Sequence, residues 1–168
     1  MSVEDPSLVE AICTSPFAAG WPHGIVSEVV AISRYVQYPA GSIIFEQNAV
    51  NRDLFLLCSG LVGLDMRVPA GGNVRILTLA SGELLAWSAL VGDGQMTATA
   101  TAVEPVRAIT IDGSRLSDLC QRRPDIGYHV MTRLAESLSH RLTATRLQLL
   151  DLYAHTTPHV LKFGASDH

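Results

Sequence analysis

Between residues 36 and 112 the sequence alternates short apolar runs with turns that contain glycine. The runs are SIIF, LFLLC, LVGLDM, VRILTL, TATATAV and VRAITI. Gly41, Gly60 and Gly82 lie in turns between them, where glycine adopts positive φ without steric cost. Strands this short, joined by such brief turns, are typical of a compact antiparallel roll or barrel. The segment therefore predicts a mainly β fold, an antiparallel β-roll or jelly roll over residues 36–112.

Helical patterns precede this β segment. Residues 7–35 predict short N-terminal helices, because apolar residues recur there near helical spacing. Ser15-Pro16 and Gly20-Trp21-Pro22 interrupt the pattern, and both sequences are typical of breaks between helices.

Helical patterns also follow the β segment, over residues 113–155. Ser114 is the candidate N-cap of a first helix that ends near Cys120, and Pro124 suits the first turn of a second, long helix that ends near Tyr153. Residues 1–155 are thus predicted to form one domain. Residues 156–168 contain proline, glycine and small polar residues and predict a flexible tail.

Composition excludes several classes of protein. The chain has 168 residues, of which 48% are hydrophobic and 17% charged, enough apolar material for one well-formed core. A net charge of −4 gives no overall positive field for nucleic acid or an acidic membrane surface. The three cysteines are far apart, the N-terminus is acidic, and no apolar run reaches the roughly 20 residues that span a bilayer. We therefore expect a soluble, cytoplasmic protein.

The sequence carries no catalytic signature. Metal-dependent cupins share a similar roll, but their chemistry needs two or three histidines inside the barrel, and residues 36–112 contain no histidine. A Walker loop, a G-x-G-x-x-G dinucleotide motif and a G-x-S-x-G elbow are absent as well. The prediction is a protein that is not an enzyme and holds no metal or cofactor, haem included. A small-molecule effector stays open.

Three segments resemble the cyclic-nucleotide-binding domain family, and in particular the sensor domain of catabolite-activator-type regulators. They are YPAGSIIFEQNAVNRDLFLLCSGLVGL, ASGELLAWSAL and RLAESLSHRLTATRLQLLDLY. The resemblance covers roughly residues 10–155. It implies a β-roll of the cyclic-nucleotide-binding type, a phosphate-binding cassette at the second segment and a long dimerising helix at the third.

The resemblance also assigns the ligand pocket, and the sequence departs from the family there. The run Leu84–Leu90 occupies the cassette's helix, Trp87 stands in place of the family's glutamate, and Met96 or its neighbour stands in place of its arginine. No lysine or arginine lies between Arg75 and Arg107. The predicted pocket residues are Ala86, Trp87, Ser88, Ala89, Met96, Thr97 and Thr145, the last at a position that contacts the nucleotide base in the family.

Loss of the arginine that pairs with the cyclic phosphate predicts weak or undetectable binding of cAMP and cGMP. Two interpretations of Trp87 remain. It fills the former pocket as part of the core, or it lines an altered pocket for an apolar or aromatic effector.

The last helix has the spacing of a coiled-coil seam. Met131, Leu138, Thr145 and Leu152 are seven residues apart, and Ala135, Leu142 and Leu149 form the companion series. Leu134, Leu147 and Leu150 are expected to pack against the chain's own roll instead. Two apolar faces on one helix predict a homodimer.

Together these features predict a stand-alone regulatory module with a degenerate phosphate cassette, which signals by conformational change or protein contact. Two alternatives remain: a ligand-free dimeric adaptor or regulatory subunit of a partner complex, and a cAMP or cGMP sensor with an atypical pocket. DNA recognition is not expected, since the family's transcription regulators continue into a helix-turn-helix domain, for which residues 156–168 leave no room.

Overall fold

A computed structural model of the protein describes residues 6–69 and 71–156. Eight strands pair antiparallel in two four-stranded sheets, with the orders β1-β8-β3-β6 and β2-β7-β4-β5. In chain order they are β1 (Ser33–Tyr38), β2 (Ile43–Phe45), β3 (Asp53–Ser59), β4 (Val62–Arg67), β5 (Asn73–Leu79), β6 (Leu84–Leu85), β7 (Thr99–Ala102) and β8 (Val106–Asp112). The predicted mainly β fold with flanking helices is confirmed.

Four α-helices and two 3₁₀ turns complete the fold of the described residues. The helices are α1 (Pro6–Cys13), α2 (His23–Val30), α3 (Gly113–Arg122) and α4 (Pro124–Thr156). The first 3₁₀ turn is Pro16–Ala18, which follows the predicted break at Ser15-Pro16, and the second is Trp87–Ala89.

Two strands differ from the sequence-based expectation. β1 begins at Ser33, before the predicted boundary at residue 36, because it pairs with β8 along its whole length. Leu84-Leu85 was predicted to be helical but forms β6, paired with Phe55 and Leu56 of β3. Both leucines are buried, and a short apolar run does not by itself distinguish a strand from a helix.

The two C-terminal helices also correct the expected boundaries. Asp112, not Ser114, caps α3, because its carboxylate accepts the Arg115 N–H at 2.9 Å. α3 continues past Cys120 to Arg122, and α4 starts at Pro124, the proline that was expected in its first turn. Thr156 is the last residue of α4, so the rest of the predicted tail, residues 157–168, lies outside the described residues.

Apolar side chains form two clusters on opposite faces of the β1-β8-β3-β6 sheet. Residues of β3 alternate between them, as side chains of a strand must: Leu54 and Leu56 point one way, Phe55 and Leu57 the other. The helix-side cluster joins Leu54 and Leu56 to apolar residues of all four helices, and the roll interior joins Phe55 and Leu57 to residues of β4, β5 and β7.

The outer half of α4 is exposed. Leu134 is buried against the helix-side cluster, as expected, but Leu147 and Leu150 are 58% and 64% exposed, so their predicted packing on the roll is wrong. Every described side chain from Leu142 to Ala154 is exposed. Although α4 has 33 residues, neither it nor another helix of the described residues is long and apolar enough to cross a membrane.

Gly60 is expected to be the turn glycine least tolerant of substitution. Its φ is +85°, and a Cβ atom there would lie 2.3 Å from the carbonyl oxygen of Pro105. We expect Gly60→Ala to lower the free energy of unfolding, measured by urea denaturation, by about 2 kcal/mol or more. Gly41 has a similar φ of +82° with open space around it, so Gly41→Ala isolates the backbone strain, at about 1 kcal/mol. Equal losses for the two variants would show that the contact with Pro105 is unimportant.

Candidate functional site

The second 3₁₀ turn lies where the phosphate-binding cassette was expected. It follows β6 directly and begins after Ala86, whose φ of +63° falls in the left-handed region that residues other than glycine rarely adopt. At this residue the alternation of side chains along β6 ends, since Leu85 and Ala86 both belong to the roll-interior cluster. Ala86 remains in the roll interior, while Trp87 packs, partly buried, against the helix-side cluster.

Met96, and not Trp87, occupies the roll interior. Its side chain is 2% exposed and belongs to the same cluster as Phe55 and Ala86. The backbone around it is fixed as well: the Met96 N–H donates to the Ala49 carbonyl at 2.9 Å, and the Asn48 N–H donates to the Met96 carbonyl at 2.8 Å. The interpretation in which Trp87 fills the roll is therefore corrected, since Met96 lies in the roll and Trp87 lies outside it.

Hydrogen bonds within the protein involve the Ala89 N–H of the second 3₁₀ turn and N–H groups of the residues that follow it. The Ala89 N–H donates to the Ala86 carbonyl and the Leu90 N–H to the Trp87 carbonyl, both at 3.0 Å. The Gly94 N–H donates to the Ser88 carbonyl at 3.1 Å, which folds the following loop back onto the turn. The amide of Ala89, one of the predicted pocket residues, thus donates within the protein.

Arg75 and Arg107 flank the segment that contains no lysine or arginine, and each makes a contact of its own. Arg75 makes two hydrogen bonds to the Asp65 carboxylate, and the Nη2–Oδ2 distance is 3.1 Å. The hydrogen bond with Asp65 raises the pKa of Arg75. The guanidinium of Arg107 lies 4.3 Å from the centre of the Tyr35 ring, in cation–π geometry.

The remaining predicted pocket residues are in different surroundings. Ser88 is buried, Thr97 is exposed, and Thr145 is exposed on α4, where its hydroxyl donates to the Arg141 carbonyl at 2.9 Å. The predicted pocket residues are thus divided between the roll interior, the helix-side cluster and the surface. Whether they bind a ligand stays a prediction.

The predicted seam residues lie along the exposed part of α4. Leu142 and Leu149 are 52% and 50% exposed, Met131 is 37% exposed, and Leu138 is partly buried against the helix-side cluster. The side chain of Leu152 lies outside the described residues.

Sequence reasoning did not find a cleft of about 600 Å³ that lies between α4, the first 3₁₀ turn and the Gly82 turn. Arg133, Ser137 and Arg141 line it from α4. Their spacing of four residues puts them on one helix face, and this much is visible in the sequence. Which elements pack against that face is shown only by the fold.

Two cysteines lie partly buried in the structure. Burial raises the pKa of both the Cys58 and the Cys120 thiol, although Arg107 opposes the shift at Cys58. The neutral thiol is a poor nucleophile, so neither residue is chemically activated. Within residues 6–69 and 71–156, no three His, Cys, Asp or Glu side chains gather to hold a metal ion.

Comparisons with known proteins agree on one family. Residues 35–123 match the family model described as cyclic nucleotide-binding domain. The cyclic AMP receptor protein of Thermus thermophilus is 33% identical over 132 residues, which are 76% of this chain and 59% of that protein. The chain thus spans less than two thirds of the length of this curated relative.

Solved structures give the same result. The Thermus thermophilus catabolite activator protein is 29% identical with a TM-score of 0.66, covering 83% of this chain and 63% of that one. A cyclic nucleotide-binding domain from Methylobacillus flagellatus shares the fold at 16% identity, with a TM-score of 0.75 over 92% of this chain and 85% of that one.

Proposed function

Because the chain belongs to the cyclic nucleotide-binding domain family, we propose that it is a regulatory module that does not bind ordinary cyclic nucleotides tightly. It acts by conformational change or protein contact, in the cytoplasm, and catalyses no reaction. The observation that carries this proposal is Met96, which is buried in the roll at the position where the resemblance expects an arginine.

The physical reason is the cost of enclosing a phosphate without a cation. A buried phosphate normally requires a charge-assisted hydrogen-bonded pair, often bidentate to arginine. Removing one partner of such a pair costs about 2–5 kcal/mol, or roughly 30- to several-thousand-fold in affinity. Arg75 is paired with Asp65. Arg107 lies over the Tyr35 ring and points away from the roll interior, because its neighbours in β8, Val106 and Ala108, face that interior.

We expect isothermal titration calorimetry with cAMP and with cGMP at neutral pH to give weak binding or no measurable heat. The same titration of Arg107→Gln, which removes the cation nearest to Met96 in sequence, should give the same result. A dissociation constant of a few micromolar or tighter for the wild type would refute the proposal and favour a nucleotide sensor with an atypical pocket. That alternative is motivated by the relative described as a cyclic AMP receptor protein.

The module is also proposed to act without binding DNA itself. Its net charge is −4, and protein–DNA affinity depends largely on lysine and arginine contacts to phosphates. The described arginines Arg34, Arg75, Arg123 and Arg133 form ion pairs with acidic side chains, which weakens any positive surface further.

We further propose that the partner of α4 is a second copy of this chain. The seam leucines Leu142 and Leu149 are half-exposed and seven residues apart, and Met131 and Leu138 continue the series toward the N-terminus of the helix. An identical helix presents the same series, so the face is self-complementary in a two-fold dimer. Thr145, the polar residue of the seam, sets the register.

A further inference from the structure

The cleft beside α4 has the size and the walls of a small-molecule site. Its volume of about 600 Å³ lies within the roughly 300–1,000 Å³ typical of ligand pockets. Phe17, Leu77 and Leu84 contribute apolar walls from three different elements, and Gly82 lies at its edge. None of the seven pocket residues predicted from the family resemblance lines it.

Two charged side chains that line the cleft, Arg133 and Glu83, are already satisfied within the protein. Arg133 donates to the Glu136 carboxylate at 2.7 Å and to the carbonyl of Ala19. Glu83 accepts the Ala80 N–H at 2.8 Å, which holds its carboxylate in the turn before β6. Neither group needs a ligand.

Arg141 differs from these neighbours. Its Nε and Nη2 atoms are fully buried and have no hydrogen-bond partner among the described residues. Burial lowers the pKa of the Arg141 guanidinium, and the charge of the Glu83 carboxylate opposes that shift. Arginine stays protonated in proteins. The wall of this largely apolar cleft therefore carries the positive charge of Arg141, with two nitrogen atoms that donate no hydrogen bond. Such a group is costly unless something pairs with it.

We propose that the cleft binds a small organic anion, with its acidic group on Arg141 and its apolar body against Phe17, Leu77 and Leu84. The inference rests on the proposed function and deepens it, because it gives the regulatory module an effector of stated chemistry. Simple inorganic anions do not fit this description, since they would leave the apolar walls in contact with water.

Anilinonaphthalene sulfonate is a suitable probe, because it joins one sulfonate to an apolar aromatic body and fluoresces when it leaves water. We expect saturable binding to the wild-type protein and a loss of affinity of at least about thirtyfold in Arg141→Gln. Arg146→Gln, which removes an exposed charge from the same helix, is the matched control and should bind like the wild type. The neutral N-phenylnaphthylamine should bind wild type and Arg141→Gln equally, because its binding needs no cation.

Equal sulfonate affinity in wild type and Arg141→Gln would overturn the inference, as would equal losses in both glutamine variants. An unfolded Arg141→Gln, detected by circular dichroism, would overturn it too, because it would show that the guanidinium has a structural partner. Tight cAMP binding in calorimetry would instead refute the proposed function, and the dependence of sulfonate binding on Arg141 would still be measurable beside it.

Discussion

Replacing Met96 with arginine is expected to lower the free energy of unfolding by about 3–5 kcal/mol, the range found when a charge is left buried without a partner. Met96 is 2% exposed within an apolar cluster that includes Phe55, Ala86 and Ala100. The Met96 N–H and carbonyl are hydrogen-bonded to residues 49 and 48, which holds the backbone in place. The longer, charged side chain would therefore be held among apolar residues, where burial of a charge is costly.

Urea denaturation followed by tryptophan fluorescence would measure this loss. Met96→Leu keeps the apolar character and nearly the volume, and should cost less than about 1.5 kcal/mol. Thr97→Arg puts the same charge on the adjacent exposed residue and should change stability by about 0.5 kcal/mol or less. A Met96→Arg variant as stable as the wild type would mean that the roll has an open pocket. If Met96→Arg also gained cAMP binding, alone or together with Trp87→Glu, the roll would have room for a nucleotide. The proposal that Met96 fills the position of the phosphate-binding arginine would then be wrong.

The fold was predictable because its signals are local. Gly41, Gly60 and Gly82 all have positive φ in the structure, and the apolar runs between them became strands within one or two residues at each end. β6 was missed because two adjacent leucines carry no periodicity. Its strand conformation comes from pairing with Phe55 and Leu56, some 28 residues away in sequence.

The candidate site was less predictable because it depends on one backbone angle. Whether Trp87 faces the roll or the helices is decided by the positive φ of Ala86, and alanine gives no hint of that conformation. Strand alternation continued from Leu84 and Leu85 would put Trp87 in the roll. The alternation ends at Ala86, so Trp87 packs against the helix-side cluster and Met96 lies in the interior.

The cleft was missed for a related reason. Periodicity alone puts Arg133, Ser137 and Arg141 on one face of α4, but their surroundings depend on the Gly82 turn and on Pro16–Ala18, both distant in sequence. An arginine on a helix is usually solvated, so the sequence favours a surface position for Arg141. Its burial is a tertiary effect.

Replacing Leu142 and Leu149 together with glutamate is expected to convert a homodimer into a folded monomer. Both leucines are about half-exposed in the single chain, so the substitutions cost little in the monomer itself. In a dimer they would bring four carboxylates into an apolar seam, where desolvation and like-charge repulsion both oppose association.

Light scattering at tens of micromolar should give about twice the 18.1 kDa chain mass for the wild type and the chain mass itself for the double variant. Leu147→Glu with Leu150→Glu is the matched control, because these leucines are at least as exposed but lie outside the seam series. This control should remain a dimer, since its added charges face water in the assembly. A monomeric wild type would refute the dimer, and equal dissociation of the two double variants would show that the helices meet along a different face of α4.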